Sequence, residues 1–136
     1  ILELGTANGY SGCILGSQGG ELTTVEIDEK IVREAAINFS KYKINAEIAL
    51  GEGISIIKDY VKQRLSFDLI FIDFFKKGYL QALSSCLSLI KTGGVIIADN
   101  ITMNGCRDFK EAVLNHPQLK TEIINIKDGL SYSIKL

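Results

Sequence analysis

The chain has 136 residues and a mass of 14.9 kDa, which is the length of one globular domain. Hydrophobic residues make up 46% of it and charged residues 23%, a balance that excludes an intrinsically disordered chain. The formal net charge of −1 provides no overall attraction to nucleic acid or anionic lipid, and no apolar run approaches the ~20 residues of a membrane-spanning helix. We therefore expect a single domain over residues 1–136 that does not enter a membrane.

Short β-type runs and longer helical stretches alternate along the chain. The runs that predict strands are residues 1–4, 22–27, 46–49, 67–72 and 95–98. The stretches with helical spacing are residues 11–16, 29–41, 53–64, 78–90 and 107–114. The last two strands are apolar on both faces, which is typical of parallel strands covered by helices on each side. This alternation predicts an α/β fold with right-handed crossovers.

The end of the chain has a different pattern. Two alternating runs, residues 120–127 and 130–136, flank the pair Asp128-Gly129. An Asp-Gly pair favours the two-residue type I′ turn of a β-hairpin, because both turn positions need a positive φ. We therefore expect the otherwise parallel sheet to end with an antiparallel strand.

A glycine-rich segment joins the first strand to the first helix. Gly5, Gly9 and Gly12 allow a sharp turn and leave backbone N–H groups free for a ligand. Ala7 occupies the second glycine position of the dinucleotide pattern G-x-G-x-x-G, which disfavours a nicotinamide-dependent dehydrogenase. Glu26 ends the second strand about 20 residues later, where a carboxylate can accept hydrogen bonds from both ribose hydroxyls. Glycines needed only for packing, with Glu26 as a solvated strand end, are the alternative interpretation.

Oxygen-bearing side chains follow the two most apolar strands. Asp73 comes directly after residues 67–72, and Asp99-Asn100 follow residues 95–98. If the two strands are neighbours, these side chains meet at the carboxyl edge of the sheet, where ligands bind in open α/β folds. An all-oxygen set suits Mg²⁺, Mn²⁺ or Ca²⁺ rather than zinc. The alternative is that Asp73 caps the next helix and Asp99-Asn100 form a turn.

Lys76 lies three residues beyond Asp73. An ammonium group in the first turn of a helix is unfavourable against the helix dipole, so its placement suggests a specific role. A metal ion nearby would favour the neutral amine, which makes Lys76 a candidate general base.

The three cysteines, Cys13, Cys86 and Cys106, have neither the paired spacing of a zinc site nor the even number of a disulfide framework. We therefore expect reduced thiols and a cytoplasmic protein. Residues 1–4 already have the pattern of a buried strand, whereas chain termini are usually polar and exposed. We expect a further segment before Ile1.

Five segments of the chain resemble, in order, the motifs of metal-dependent class I O-methyltransferases of the catechol and caffeoyl-CoA O-methyltransferase group. The segments are ILELGTANGYSG, TTVEIDE, FDLIFIDFFKKGY, LIKTGGVIIADN and DGLSYSIKL. The resemblance covers nearly the whole chain. It implies S-adenosylmethionine as the cofactor, and a doubly wound, Rossmann-like, mostly parallel sheet of about seven strands whose last strand is antiparallel.

The resemblance also implies which residues bind the cofactor. The residues that match the family's cofactor contacts are Glu3, Gly5, Thr6, Gly9, Ser11, Glu26, Glu52 and Gly53. The first five would line the methionine half of the cofactor, Glu26 would hold the ribose, and the last two would lie by the adenine.

Two further roles follow from the resemblance. Asp73, Asp99 and Asn100 match the divalent-metal ligands, with Mg²⁺ as the expected ion, and Lys76 matches the base of the catechol enzymes. With Asp73 and Lys76 as catalytic residues, the metal would hold two neighbouring acceptor oxygens in line with the sulfonium methyl. Residues 74–75 are both Phe, where relatives have Ala-Asp or His-Trp, which alters the pocket wall beside the metal.

The expected function is therefore methyl transfer to a hydroxyl of a small vicinal-diol acceptor. A tRNA hydroxyuridine O-methyltransferase is an alternative, although the net charge gives it no support. A domain that binds the cofactor but has a regulatory role and no activity is another. The sequence leaves the oligomeric state open, including a homodimer.

Overall fold

Seven strands and five helices alternate along residues 1–136, all of which are described by the computed structural model. The strands are β1 (Leu2–Leu4), β2 (Leu22–Glu26), β3 (Ala46–Leu50), β4 (Phe67–Ile72), β5 (Ile90–Asp99), β6 (Leu119–Ile124) and β7 (Leu130–Lys135). The helices are α1 (Tyr10–Ser17), α2 (Glu29–Lys41), α3 (Gly53–Lys62), α4 (Tyr79–Leu89) and α5 (Arg107–Leu114). A single 3₁₀ turn, Lys76–Gly78, precedes α4.

The strands form one sheet in the order β3-β2-β1-β4-β5-β7-β6. The first five strands are mutually parallel, and β7 is antiparallel to both β5 and β6. The prediction of a doubly wound, mostly parallel sheet with an antiparallel strand at the end of the chain is confirmed. The order reverses at β1 and β4, and such a switch point is where open α/β sheets form their ligand crevice.

One face of the sheet is buried, whereas on the other face the alternate residues of β4 and β5, such as Phe71 and Ile97, are only half-buried. The prediction that helices cover these two strands on both faces is therefore wrong for β4 and β5, because α1 and α2 pack on β2 and β3. Alternate residues of the central strands, such as Leu4, Ile70 and Ile96, are almost completely buried in one core with residues of α3, α4 and α5. A smaller cluster contains Leu22 of β2 with residues of α2. No helix has the combination of length and apolar character that crossing a bilayer requires.

The hairpin at the end of the chain differs from the expected two-residue turn. Its strands close at the pair Ile124 and Leu130, so residues 125–129 form a five-residue connection. Asp128 and Gly129 do adopt positive φ values, 59° and 69°. Their carbonyl oxygens accept hydrogen bonds from the backbone N–H groups of residues 101–102 (3.2 and 3.1 Å). The connection is longer because it packs against the segment that follows β5.

Candidate active site

The loop between β1 and α1 lies against the carboxyl ends of β2 and β4. The backbone N–H groups of Gly5 and Thr6 both donate to the carbonyl oxygen of Val25, at 3.1 and 3.2 Å. Gly5 has φ +106°, and a Cβ atom there would lie 2.1 Å from the carbonyl oxygen of Asp73. Only glycine fits this position, because both the backbone conformation and the space exclude a side chain. The glycine loop therefore touches the backbone that carries the first candidate acid.

A network of hydrogen-bonded polar side chains stabilises the glycine loop. Ser11 Oγ donates to Glu3 Oε1 at 2.5 Å and Thr24 Oγ1 donates to Glu3 Oε2 at 2.6 Å. Thr6 Oγ1 lies 2.6 Å from Thr24 Oγ1 and extends the network to the loop. Burial raises the pKa of the Glu3 carboxyl, and the hydrogen bonds from Ser11 and Thr24 oppose that rise. Glu3 is completely buried, so it holds the loop and α1 together.

Glu26 has specific partners at the end of β2 and is not a freely solvated side chain. Its Oε2 accepts a hydrogen bond from the backbone N–H of Ala7 at 3.1 Å. Its Oε1 accepts from the N–H groups of Ile27 and Asp28, at 2.9 and 3.1 Å. The carboxylate thus joins the glycine loop to the turn after β2. Charge-assisted hydrogen bonds of this kind fix its orientation at the crevice.

Glu52 and Gly53, at the start of α3, also line the crevice at the carboxyl edge of the sheet. Glu52 is the N-cap of α3, and its two carboxylate oxygens accept from the N–H groups of Ile54 and Ser55 at 2.9 and 2.8 Å. A Cβ atom at Gly53 would lie 3.3 Å from the ring of Phe74. Glycine therefore lets the Phe74 ring approach the start of α3.

Two cavities that share Gly5, Ala7 and Asp73 occupy the carboxyl edge of the sheet. The first, about 450 Å³, is also lined by Glu26, Glu52 and Gly53. The second, about 490 Å³, is also lined by Thr6, Ser11 and Asp99. The predicted site residues that line neither cavity are Glu3, Gly9, Lys76 and Asn100.

The first candidate acid, Asp73, forms an ion pair with the candidate base. Lys76 Nζ donates to Asp73 Oδ1 at 2.6 Å and to the hydroxyl of Tyr79 at 2.8 Å. The two paired side chains are only 21% and 37% exposed, so solvent screens their attraction less than on an open surface. The helix-capping alternative for Asp73 is wrong, because the turn and α4 begin at residues 75–78 without a side-chain cap.

The second candidate acid lies on the neighbouring strand, as the sequence predicted. Ile72 pairs with Ala98, so Asp73 and Asp99 follow directly after paired residues. Asp99 Oδ1 accepts from the backbone N–H of Asn100 at 2.7 Å, and Asn100 has a positive φ of 57°. This local bond agrees with the turn interpretation but engages only one oxygen of Asp99.

The chemistry of these side chains fits a hard divalent cation. Asp73 and Asp99 line the same cavity, and Oδ2 of each accepts no hydrogen bond from the protein. Carboxylate and amide oxygens are the ligands that Mg²⁺, Mn²⁺ and Ca²⁺ prefer. The structure contains no cluster of three or more His, Cys, Asp or Glu side chains placed to hold a metal. The candidate set is therefore limited to two carboxylates and the Asn100 amide.

Sequence reasoning missed Tyr79, whose hydroxyl contacts Lys76 and the ends of both strands. The signal that could have found it is its spacing of three residues from Lys76, which places the two side chains on one side of a helical turn. Burial raises the pKa of Tyr79, so its hydroxyl remains a protonated donor.

Comparison with known proteins relates the chain to one enzyme family. Residues 1–112 match the model of a family described as O-methyltransferase. A catechol O-methyltransferase of Niastella koreensis is 33% identical over 111 residues, which are 77% of this chain and 50% of the relative. Catechol O-methyltransferase B of Danio rerio is 30% identical over 157 residues and 100% of this chain, and the match covers 58% of the relative. The chain thus spans about half the length of these curated relatives.

Solved structures give the same relationship. The crystal structure of an O-methyltransferase from Bacillus cereus in complex with SAH superposes with a TM-score of 0.92 at 28% identity. The superposition covers 100% of this chain and 73% of that chain. The family resemblance inferred from the sequence motifs is confirmed.

Replacing Gly5 by Ala should lower the free energy of unfolding by about 2–5 kcal/mol, because the new Cβ is both overpacked and in a left-handed backbone conformation. Gly19→Ala is the matched control, since Gly19 also has a positive φ (+88°) but nothing lies within 4 Å of its Cβ position. The control should lose only about 1–2 kcal/mol. Urea denaturation measures both values, and equal losses would mean that Gly5 is not in contact with the Asp73 carbonyl.

Replacing Glu3 by Gln should change how stability depends on pH. Because the folded-state pKa of Glu3 is raised above its ordinary value of 4.5, the folded protein binds this proton more tightly than the unfolded chain does. That contribution to stability is complete below about pH 4.5 and is lost as the pH rises through the folded-state pKa. The difference in unfolding free energy, wild type minus variant, should therefore fall as the pH rises above about 4.5.

Urea denaturation at several pH values measures this difference. Glu34→Gln, at an exposed position on α2, is the control and should give a difference that does not change with pH in this way. A constant difference for Glu3→Gln would show that the buried carboxyl titrates as it does in the unfolded chain.

Proposed function

Since this chain belongs to the O-methyltransferase family, we propose that it binds S-adenosylmethionine and transfers its methyl group to a hydroxyl of a small vicinal-diol acceptor, with a divalent cation. The observation that carries this proposal is the pair of cavities that share Gly5, Ala7 and Asp73. Glu26, the proposed ribose-binding carboxylate, lines one cavity. Asp99 lines the other, and Asp73 lines both. Because the chain spans about half of its curated relatives, its own activity is part of the proposal.

The cavity lined by Glu26, Glu52 and Gly53 is the proposed nucleoside side. Its volume of about 450 Å³ lies within the range of small-molecule sites. Glu26 accepts from three backbone N–H groups, and a carboxylate with about four lone-pair sites retains capacity to accept from one ribose hydroxyl. Phe74 and the start of α3 provide the apolar wall for a purine ring.

The cavity lined by Thr6, Ser11, Asp73 and Asp99 is the proposed side for the methyl group and the acceptor. Asp73, Asp99 and Asn100 would hold the cation, which when bound supplies Lewis-acid polarisation of an acceptor oxygen. The two acids lie at the ends of paired strands, so their positions are set before any ligand binds. A methyl transfer between two bound partners depends mainly on such fixed orientation.

Lys76 is the proposed base for the acceptor's hydroxyl proton. A lysine accepts a proton only as the neutral amine, whereas Lys76 Nζ is engaged in an ion pair with Asp73 Oδ1 at 2.6 Å. The role of base therefore requires that another positive charge balance Asp73. Without that second positive charge, the ion pair with Asp73 holds Lys76 Nζ beside the carboxyl end of β4.

The direct test is an assay of the chain with S-adenosylmethionine, MgCl₂ and a simple catechol, followed by mass spectrometry of the methyl ether. We expect transfer with Mg²⁺ and none after EDTA treatment. Calorimetric binding of S-adenosylhomocysteine without transfer to any diol would instead support a regulatory cofactor-binding domain. Transfer to a hydroxyuridine-containing tRNA, with affinity that falls steeply with salt, would support the nucleic-acid alternative.

Asp99→Ala should lower metal-dependent turnover at least about 100-fold, because removing an electrostatic contribution of ~3 kcal/mol has that effect. Mn²⁺ binding measured by electron paramagnetic resonance should weaken in parallel, while affinity for S-adenosylhomocysteine changes less than about threefold. Asp59→Ala, which removes an exposed acid on α3, is the control and should leave all three values unchanged. Equal loss of cofactor affinity in Asp99→Ala would mean that Asp99 has a structural role.

Glu26→Ala should weaken binding of S-adenosylhomocysteine about 10- to 100-fold, since hydrogen bonds to a charged group contribute about 1.5–3 kcal/mol. Isothermal titration calorimetry measures the change. Glu34→Ala, an exposed acid on α2, should bind as the wild type does. Unchanged affinity in Glu26→Ala would remove Glu26 from the ribose site.

A further inference from the structure

One buried hydroxyl group connects the candidate base to the ends of both acid-bearing strands. Tyr79 is completely buried at the start of α4. Its hydroxyl oxygen lies 3.1 Å from the carbonyl oxygen of Ile72 and 3.1 Å from that of Asp99. Lys76 Nζ donates to the same hydroxyl at 2.8 Å. The hydroxyl therefore contacts three groups that belong to three different elements of the site.

The geometry assigns a direction to each of these hydrogen bonds. An ammonium group can only donate, so the Tyr79 oxygen accepts from Lys76. Its single proton is then available to the carbonyl oxygens of Ile72 and Asp99. Ile72 is the residue before Asp73, so this proton lies between the backbones that carry the two candidate acids. The last paired residues of the two strands are Ile72 and Ala98, and the hydroxyl continues the connection beyond that pair.

Aromatic contacts fix the ring that carries the hydroxyl. Phe74 stacks on Tyr79 with ring centroids 5.7 Å apart and planes inclined by 9°. Phe109 of α5 contacts the ring edge-on at 5.4 Å and 82°. These contacts hold the ring through packing alone, and a phenylalanine would satisfy them equally well. The hydroxyl is thus not required to fill the core.

We propose that Tyr79 is a positioning residue, whose hydroxyl sets the spacing between the Asp73 and Asp99 backbones and directs the Lys76 ammonium toward Asp73. The consequence for the reaction rests on the proposed function, because it matters only if those acids hold a cation. The positioning itself is a property of the protein alone. It can therefore be tested without cofactor, acceptor or metal.

Tyr79→Phe is the decisive variant, because it removes the hydroxyl and retains the ring between Phe74 and Phe109. Amide hydrogen exchange of the metal-free protein should be at least about tenfold faster at Asp73 and Asn100, whose N–H groups are bonded at the two strand ends. Tyr60→Phe is the matched control: Tyr60 packs against Phe67 away from the site. The control should leave exchange at both amides unchanged.

Two ligand measurements extend the test to the reaction. In Tyr79→Phe, Mn²⁺ affinity should weaken about five- to tenfold and kcat should fall about 10- to 100-fold, while KM for S-adenosylmethionine stays within about twofold. Phe109→Leu retains the hydroxyl and weakens ring packing, so it should affect Mn²⁺ affinity less than Tyr79→Phe does. An equal or larger effect of Phe109→Leu would assign the role to packing and overturn the proposal.

Failure of this inference and failure of the proposed function give different results. Unchanged exchange at Asp73 and Asn100 in Tyr79→Phe would overturn the positioning role, whatever the enzyme assay gives. Faster exchange in a protein that neither binds Mn²⁺ nor transfers methyl groups would retain the positioning role and refute the proposed function.

Discussion

The contact between Gly5 and the backbone of Asp73 is the constraint on which the rest of the site depends. The Asp73 N–H donates to the carbonyl oxygen of Leu4 at 2.9 Å, so β1 and β4 remain bonded up to the point where both end. The next residue, Gly5, then passes so close to Asp73 that no side chain fits. One backbone contact therefore joins the glycine loop to the acid-bearing edge, and the two cavities share it.

The glycine loop is held by polar groups, although it lies on a hydrophobic sheet. Glu3 is buried at a position where an apolar strand residue would be stable, and burial of a carboxyl is unfavourable unless its oxygens are bonded. Ser11 and Thr24 satisfy those oxygens, and Thr6 extends the network to the loop. Each bond has a defined direction, which apolar packing lacks, so the network fixes the loop in one conformation.

The features predicted correctly from the sequence depend on backbone periodicity. Strand-end rules placed Asp73 and Asp99 at the carboxyl ends of two parallel strands, and the pairing of Ile72 with Ala98 makes these strands neighbours. The contacts of Lys76 with Asp73 and Tyr79 have a local three-residue spacing. The bonds from the Tyr79 hydroxyl to Ile72 and Asp99 depend instead on packing across α4, β4 and β5, which no local spacing specifies. The predicted length of the hairpin connection is wrong for the same reason. The Asp-Gly pair predicts positive φ values, but the contact with residues 101–102 determines the length of the connection.

Charge balance connects these observations to the chemistry. Asp73 and Asp99 lie at adjacent strand ends and carry the same charge. In this structure Lys76 offsets the charge of Asp73, and the Asn100 N–H stabilises Asp99, so each carboxylate keeps one oxygen without a protein donor. Asp73 and Asp99 both line a cavity bounded by the glycine loop. In the proposed function, the cation would replace Lys76 as the partner of Asp73, which would leave Lys76 free to act as the base.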